Sequence, residues 1–510
     1  MSVTERISSY KIHPSVGIAR LGNSPDEYFI GPECPGINDP PKGGYKDKKG
    51  RIKRQAARFR IFGYDGEGNV VKEITPAEAD IKWSVHLANK KASWKNFEGL
   101  NPNASLRNAF EQKRSNLIID PGERMLHSLN SKAVFDTGMF YEKIVPLGEI
   151  RIDDQGHLLV LGGFGNSAPR KNEPLTTYAN NEGWHDDVSD GPIRASVKLK
   201  NSSHFIEAMP SWVICAPPDF APALGNVIRL YDTLLQVAID KLNYQVPEIP
   251  SFTNDIYPIL SRANNMKWVS MMMWESGSAH GRKQSVSESK HKDMEHVKPL
   301  IHDSTLRQKV FGKLTDPSDP LGGDDNDMPM LWSDYYHDQK RDNEEPRNLT
   351  LCKWQYDYLE KWARDYFFKD WTGEPVPSSE ITAFGLDKAA LENCIGGAFY
   401  PGIEASWYMR DCYEFIEPFR LAHTFISAGD ITKQMAVPWQ ADFYDCSEDE
   451  DLGWWPAQRP DGVFVDSLEQ MHKWTRGYVE GYEEMVENWH RLGFVVKKGD
   501  GYFESERNPK

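Results

Sequence analysis

Residues 393–411 (NCIGGAFYPGIEASWYMRD) and 435–460 (MAVPWQADFYDCSEDEDLGWWPAQRP) each mix a thiol or indole with carboxylates, Gly and Pro. Neither carries a helical or strand period. Irregular aromatic segments of this kind line pockets more often than they fill cores, so a site is expected here. Other motifs point away from familiar chemistry. Residues 158–167 (LLVLGGFGNS) resemble a strand running into glycines. They lack the GxGxxG spacing, and Pro169 with the polar run after it makes no helix, so no dinucleotide site is expected. There is no P-loop, no HExxH and no GxSxG elbow. His291 and His296 stand five apart, a poor ligand spacing on a helix. Residues 322–327 (GGDDND) lack the calcium-loop pattern and its closing Glu. The six cysteines, at 34, 215, 352, 394, 412 and 446, form no CxxC pair and no zinc spacing. No metal and no disulfide framework is expected, and each lone Cys reads as a buried apolar residue.

The elements that must position these segments divide at about residue 220. Before it the chain reads as strands and loops. Residues 58–64 (RFRIFGY), a turn at 66–69 and residues 70–74 make a hairpin; residues 150–152 and 157–161 flank DDQG in a second. Residues 82–87, 195–199 and 212–216 read as further strands. Beyond residue 220 helical spacing dominates. Residues 226–242 (NVIRLYDTLLQVAIDKL) form a helix, and residues 254–262 another, interrupted by Pro258. Residues 351–368 and 387–393 follow, and residues 467–493 read as one long helix stopped by Gly493. Residues 276–295, rich in Ser, Lys, Glu and His, read as a polar excursion able to act as a lid. The expected class is α+β: a strand-rich region over 1–220, and a largely helical and irregular region over 221–510 that carries the site.

Composition narrows the partners. The 510 residues can bury a full core, and 39% hydrophobic with 26% charged is ordinary for a folded chain. Lys and Arg total 60 against 75 Asp and Glu, a net charge of −15. Such acidity argues against nucleic acid and against an anionic membrane surface. No run of about 18 apolar residues suggests a membrane span, and the N-terminus lacks the apolar core of a secretory signal. A cytoplasmic location is the expectation. The 16 Trp point to a large aromatic core.

The two dense segments, with the opening YKIHPSVGIARLGNSPDEYFIGPE and the later SFTNDIYPIL, resemble the LodA-like family of cysteine tryptophylquinone amino-acid oxidases, the family of L-lysine 6-oxidase and glycine oxidase. The likeness runs from about residue 10 to about residue 465, in one order. The chain is shorter than the best-known members, so some of their loops or extensions should be missing. The resemblance implies a cofactor made from the protein itself, a cysteine tryptophylquinone joining Cys394 in CIGGAFYPGIE to Trp439 in PWQADF. It implies oxidative deamination of an amino-acid amine with O2, giving hydrogen peroxide and ammonia. An electron-rich indole and a nucleophilic thiolate suit that maturation. A flavoprotein maturation partner and a homo-oligomer are implied as well.

One departure stands out. The family has a maturation acid four residues before the cross-linked Cys, where this chain has Ala390. The nearest acids are Asp387 and Glu392. Asp387 lies two turns back on a similar helix face, where it either substitutes or caps residues 388–393. For the proton-accepting base the candidates are His296, where the excursion rejoins apolar residues 297–301, with His302 as comparison, and the carboxylates Glu404 and Asp442. The alternative reading is a family member without a mature quinone, serving as a binding protein or a non-redox enzyme in the same pocket.

Overall fold

The computed structural model describes residues 6–98, 103–276, 294–318, 331–332, 348–349, 351–396, 409–410, 415–448 and 457–509. Its dominant feature is a 13-stranded sheet in the N-terminal part of the chain. The main path runs Arg124–Leu126, Ala79–Val85, Ser189–Leu199, Ser211–Ala216, Val16–Arg20, Arg54–Tyr64, Leu158–Leu161, Glu149–Ile152 and Lys132–Val134. Pairing is antiparallel except where Ser211–Ala216 meets Val16–Arg20 and where Tyr28–Ile30 meets Arg54–Tyr64. Both expected hairpins are present, Arg54–Tyr64 with Val70–Ile74 and Glu149–Ile152 with Leu158–Leu161.

The central strand Ser211–Ala216 (SWVICA) is buried along its whole length, as a strand covered on both faces must be. Alternation sorts its side chains between two cores. Val213 and Cys215 join Phe59, Trp83 and Ile150 on one face. Trp212, Ile214 and Ala216 join Leu230 and Leu234 of the helix Leu230–Leu242 on the other. A third, aromatic core lies in the C-terminal part and includes Phe220, Trp268, Trp362, Trp439, Trp474 and Trp489.

Local chemistry explains where the helices differ from expectation. Thr382 starts the helix Ala383–Glu392 by accepting the Gly385 N–H at 2.9 Å. Asp387 therefore sits inside the helix and caps nothing. Pro258 does not interrupt its segment. A π-type turn, Phe252–Ile256, precedes the helix Tyr257–Asn265, and Pro258 occupies the first turn, where a missing N–H costs nothing. The helix expected over 351–368 is Lys353–Ala363. Residues 467–493 are not one helix. They form the short strand His472–Lys473, the helix Tyr482–Asn488 and a tight turn Trp489–Arg491. Gly477 adopts φ +79°, a left-handed conformation that no right-handed helix passes through. Gly493 then opens a hairpin, Phe494–Lys498 with Gly501–Ser505. No helix among the described residues is long and apolar enough to cross a membrane.

Candidate active site

The segment leading to Trp439 is gripped by residues of the strand-rich part. Val437 N–H donates to Ala179 O at 3.0 Å, and Asn181 Nδ2 donates to Val437 O at 3.0 Å. Lys91 Nζ donates to Ala436 O at 2.9 Å and Arg107 Nη1 to Met435 O at 2.9 Å. Trp439 opens the helix Trp439–Glu448, and its N–H donates to Asp186 Oδ2 at 3.1 Å. The same oxygen accepts Lys91 Nζ at 2.8 Å, while Asp186 Oδ1 accepts Asn89 Nδ2 at 2.9 Å. A carboxylate at a helix N-terminus also meets the positive end of the helix dipole. Lys91 and Asp186 are both 0% exposed, so each charge depends on the other. Burial lowers the Lys91 pKa against the opposing pull of Asp186, and burial brings Arg107 down to about 10.

The Trp439 indole is completely buried. It meets Phe443 and Trp489 nearly edge-to-face, at centroid distances of 4.8 and 5.3 Å. Its Nε1–H has no hydrogen-bond partner among the described residues, an uncommon state for a buried indole donor. Gln440, the next residue, donates to Gly165 O at 3.0 Å and accepts Ser167 Oγ at 2.6 Å. Asp442, three residues on, forms a wholly buried ion pair with Arg459.

Cys394 follows the helix Ala383–Glu392 and is buried. Its carbonyl accepts Leu230 N–H at 2.9 Å, and Gly396 N–H donates to Ile228 O at 3.0 Å. Only glycine fits at 396, because a Cβ there would stand 1.8 Å from Arg229 O. Thr233 Oγ1, in the helix Leu230–Leu242, donates to the Gly396 carbonyl. The Cys394 and Trp439 segments contribute to the same two cores. Cys394 shares one with Met435 and Ala436, and Ile395 shares the other with Trp439.

The remaining expected residues scatter. Glu392 is paired with Arg229 at 2.6 Å and accepts Gly36 N–H at 3.1 Å. Arg229 in turn holds the buried Asp232, which Arg262 also contacts at 3.2 Å. Asp387 turns toward the first strands: His13 Nδ1 lies 2.9 Å away and Ser15 N–H donates to it at 2.5 Å. Burial opposes its ionisation, yet His13, Arg420 and the Ser15 N–H outweigh that and hold the carboxyl below its ordinary range. His296 belongs to the helix Met294–His302, with its side chain outside the described residues. Val297 and Ile301 of that helix are buried in the aromatic core, as the apolar anchor requires, and His302 is exposed. Glu404, His291, residues 322–327 and most of the polar excursion lie outside the described residues.

Sequence reasoning missed Lys91, Arg107, Asp186, Asp187 and Trp489. A signal existed in WHDDVSD (184–190): three acids within a run that also carries strand character. All three are buried. Asp190 accepts Trp212 Nε1, the Ile431 and Thr432 N–H groups and Thr432 Oγ1, and burial lifts its pKa to about 6. Asp187 Oδ2 accepts Phe164 N–H at 2.7 Å and Asn166 N–H at 3.0 Å, while Oδ1 has no partner among the described residues. The glycine-rich run 162–167 thus wraps a carboxylate rather than a dinucleotide.

Burial pushes Asp187 up to about 7, and the neighbouring Asp186 charge adds to it against the two N–H donors. Between about pH 4, where an unfolded Asp ionises, and pH 7 the folded state holds the extra proton. Stability from this group is therefore fully present below the unfolded pKa and is lost as pH rises toward 7. Asp187→Asn should remove a slope of at most about 1.4 kcal/mol per pH unit across that window. Urea unfolding of both proteins at several pH values checks it; parallel curves would show that the group does not titrate there.

Comparison with known proteins adds to this geometry. Residues 13–215 match the family described as L-Lysine epsilon oxidase N-terminal, and residues 333–474 match the L-lysine epsilon oxidase C-terminal domain. L-lysine 6-oxidase of Marinomonas mediterranea is 26% identical over 670 aligned positions, covering 98% of this chain and 89% of that protein. A crystal structure of the L-Lys epsilon-oxidase from the same organism superposes with a TM-score of 0.78 at 23% identity. The structure of its Schiff base intermediate with L-Lys gives 0.77 at 24%. Both alignments cover 98% of this chain and 95% of the other, so the fold is shared.

Proposed function

Because this chain belongs to the L-lysine epsilon oxidase family, we propose that it is a quinoprotein amino-acid oxidase whose cofactor is built from Cys394 and Trp439. It would deaminate an amino-acid amine with O2, releasing hydrogen peroxide and ammonia. The observation that carries this reading is the fully buried Trp439 indole, whose Nε1–H has no partner among the described residues, in a segment that shares two cores with the Cys394 segment. A cysteine tryptophylquinone, once formed, supplies an electrophilic carbonyl and a two-electron sink.

The chain's own residues supply orientation and proton handling. Asp186 and Lys91 fix the start of the Trp439 helix, and Gln440 ties it to the Gly165 loop. The apolar walls of Phe443 and Trp489 exclude water, which strengthens every electrostatic interaction inside. Asp442 is paired with Arg459 beside the site. That arrangement suits charge compensation, so His296 and Glu404 are the proposed bases.

Maturation inserts two oxygen atoms into the indole, removes hydrogens from it and joins it to sulfur, so it needs an oxidant. Dioxygen handled by a flavoprotein partner fills that role in the proposal. Glu392 is the better of the two acids for assisting it. Arg229 links Glu392 to the backbone that pairs with Ile395, whereas Asp387 is committed to His13 and Ser15. A second reading, a family member with no mature quinone acting as a binder or a non-redox enzyme, is favoured by Ala390 at the usual acid position.

Peptide mass under reducing conditions, read beside the visible spectrum, separates the two. The oxidase should yield one linked species holding Cys394 and Trp439, heavier than the two peptides by two oxygens less the hydrogens lost. Glu392→Gln should lower the linked fraction, and Asp387→Asn should leave it intact while lowering stability. Plain, separate peptides from a colourless wild-type protein would favour the second reading.

A further inference from the structure

Both family matches end by residue 474, yet the chain beyond that point reaches the site. Trp489 opens the turn Trp489–Arg491, is 3% exposed, and stands 5.3 Å from the Trp439 ring at an interplanar angle of 72°. The turn is tied down on several sides. Lys46 Nζ donates to Leu492 O at 2.9 Å, Trp474 Nε1 to Gly493 O at 3.0 Å, and Val495 N–H to Phe220 O at 2.7 Å. On its other side Trp489 presses on Gly165. A Cβ at 165 would stand 2.2 Å from Trp489 Cζ2, and Gly165 has φ +75°, so two independent reasons require glycine.

The Gly165 loop is itself fixed. Asp187 Oδ2 receives the N–H groups on both sides of Gly165, from Phe164 and Asn166. Gly163 packs so closely on that carboxyl that a Cβ would stand 2.5 Å from Oδ2. The Gly165 carbonyl accepts the side chain of Gln440. The result is a closed ring of contacts: Trp439, Trp489, Gly165, Gln440 and back to the Trp439 helix.

We propose that Trp489 is a positioning residue for Trp439, with the Asp187-pinned Gly163–Asn166 loop wedging it so that the Trp439 indole is held in one plane for cross-linking and for turnover. This rests on the oxidase reading for its consequence but on packing alone for its geometry. A flat ring held on one side by a bulky neighbour loses rotational freedom before any chemistry begins. Loss of that restraint misplaces the reacting ring, and a displacement near 1 Å can cost on the order of 10²-fold in rate.

The test uses the full chain in two states. In a Cys394→Ser background, where no cofactor can form, two indoles this close should give an exciton couplet in circular dichroism. Trp489→Phe should abolish the couplet, and Gly165→Ala should shift it. In the otherwise wild-type chain, Trp489→Phe should lower the linked-peptide fraction and reduce kcat on the order of 10²-fold, with a smaller change in KM. Asp187→Asn keeps an acceptor for both N–H groups and should retain linking, whereas Asp187→Ala should not. A missing couplet in the unmodified pair overturns the geometry. Wild-type linking and kcat in Trp489→Phe, with the couplet gone, overturn the role. A wild-type protein that never links, but shows the couplet, overturns the quinone reading and the role while the packing stands.

Discussion

Exchanging Trp439 for Phe is expected to give a folded, colourless protein whose amine oxidation falls by about 10⁶-fold or more, the lower end of what enzymes add to uncatalysed reactions. Folding should survive for a specific reason. The indole Nε1–H makes no hydrogen bond among the described residues, so its removal forfeits none. Phe retains an aromatic face for Phe443 and Trp489, and the small cavity left costs on the order of 1–3 kcal/mol. The backbone N–H that binds Asp186 is unaffected. Cys394→Ser should match it in colour and activity, since the hydroxyl cannot replace thiolate as the nucleophile. Peroxide release from the amine substrate, scored beside the visible spectrum, decides the matter. Near-wild-type turnover in Trp439→Phe would remove Trp439 from the chemistry.

Lys91→Met is expected to be among the most destabilising single substitutions in the molecule, at about 3–5 kcal/mol. The cause is the partner it abandons. Asp186 is 0% exposed and would be left hydrogen-bonded only by neutral donors, Asn89 Nδ2 and the Val188 and Trp439 N–H groups, with the Arg107 charge acting from further off. The Ala436 carbonyl would also lose its donor, loosening the segment that delivers Trp439. Asp186→Asn combined with Lys91→Met should recover part of the loss, because a neutral pair no longer requires compensation. Urea unfolding of the two single variants and the double variant measures the coupling. Additive losses would mean that the two side chains do not depend on each other.

The strand-rich half was legible because its signal is local. Short apolar and β-branched runs over 58–64, 70–74, 150–152 and 157–161 are bounded by turn residues, and residues 82–87 alternate with a period of two. The helix at 226–242 was legible in the same way, with its start moved to Leu230. Residues 467–493 were misread because Gly477 turns left-handed and Trp474 and Trp489 take their places from tertiary contacts, both of which override a helical period.

By itself the sequence determined the family likeness and the order of most elements, and it singled out Cys394 and Trp439 as the proposed cofactor residues, since motif and periodicity are properties of neighbours in the chain. Tertiary structure alone decided what surrounds them. Lys91 meets Asp186 across 95 positions, Asp186 meets Trp439 across 253, and His13 takes Asp387 across 374. Such pairs form because a buried charge or orphaned N–H must find a partner once folding removes water, and which partner it finds depends on how the sheet and helices pack. The glycine run at 162–167 shows the difference most plainly. Its missing GxGxxG spacing argues against a phosphate cradle, but only the fold brings Asp187 and Trp489 to fill the space its missing side chains leave.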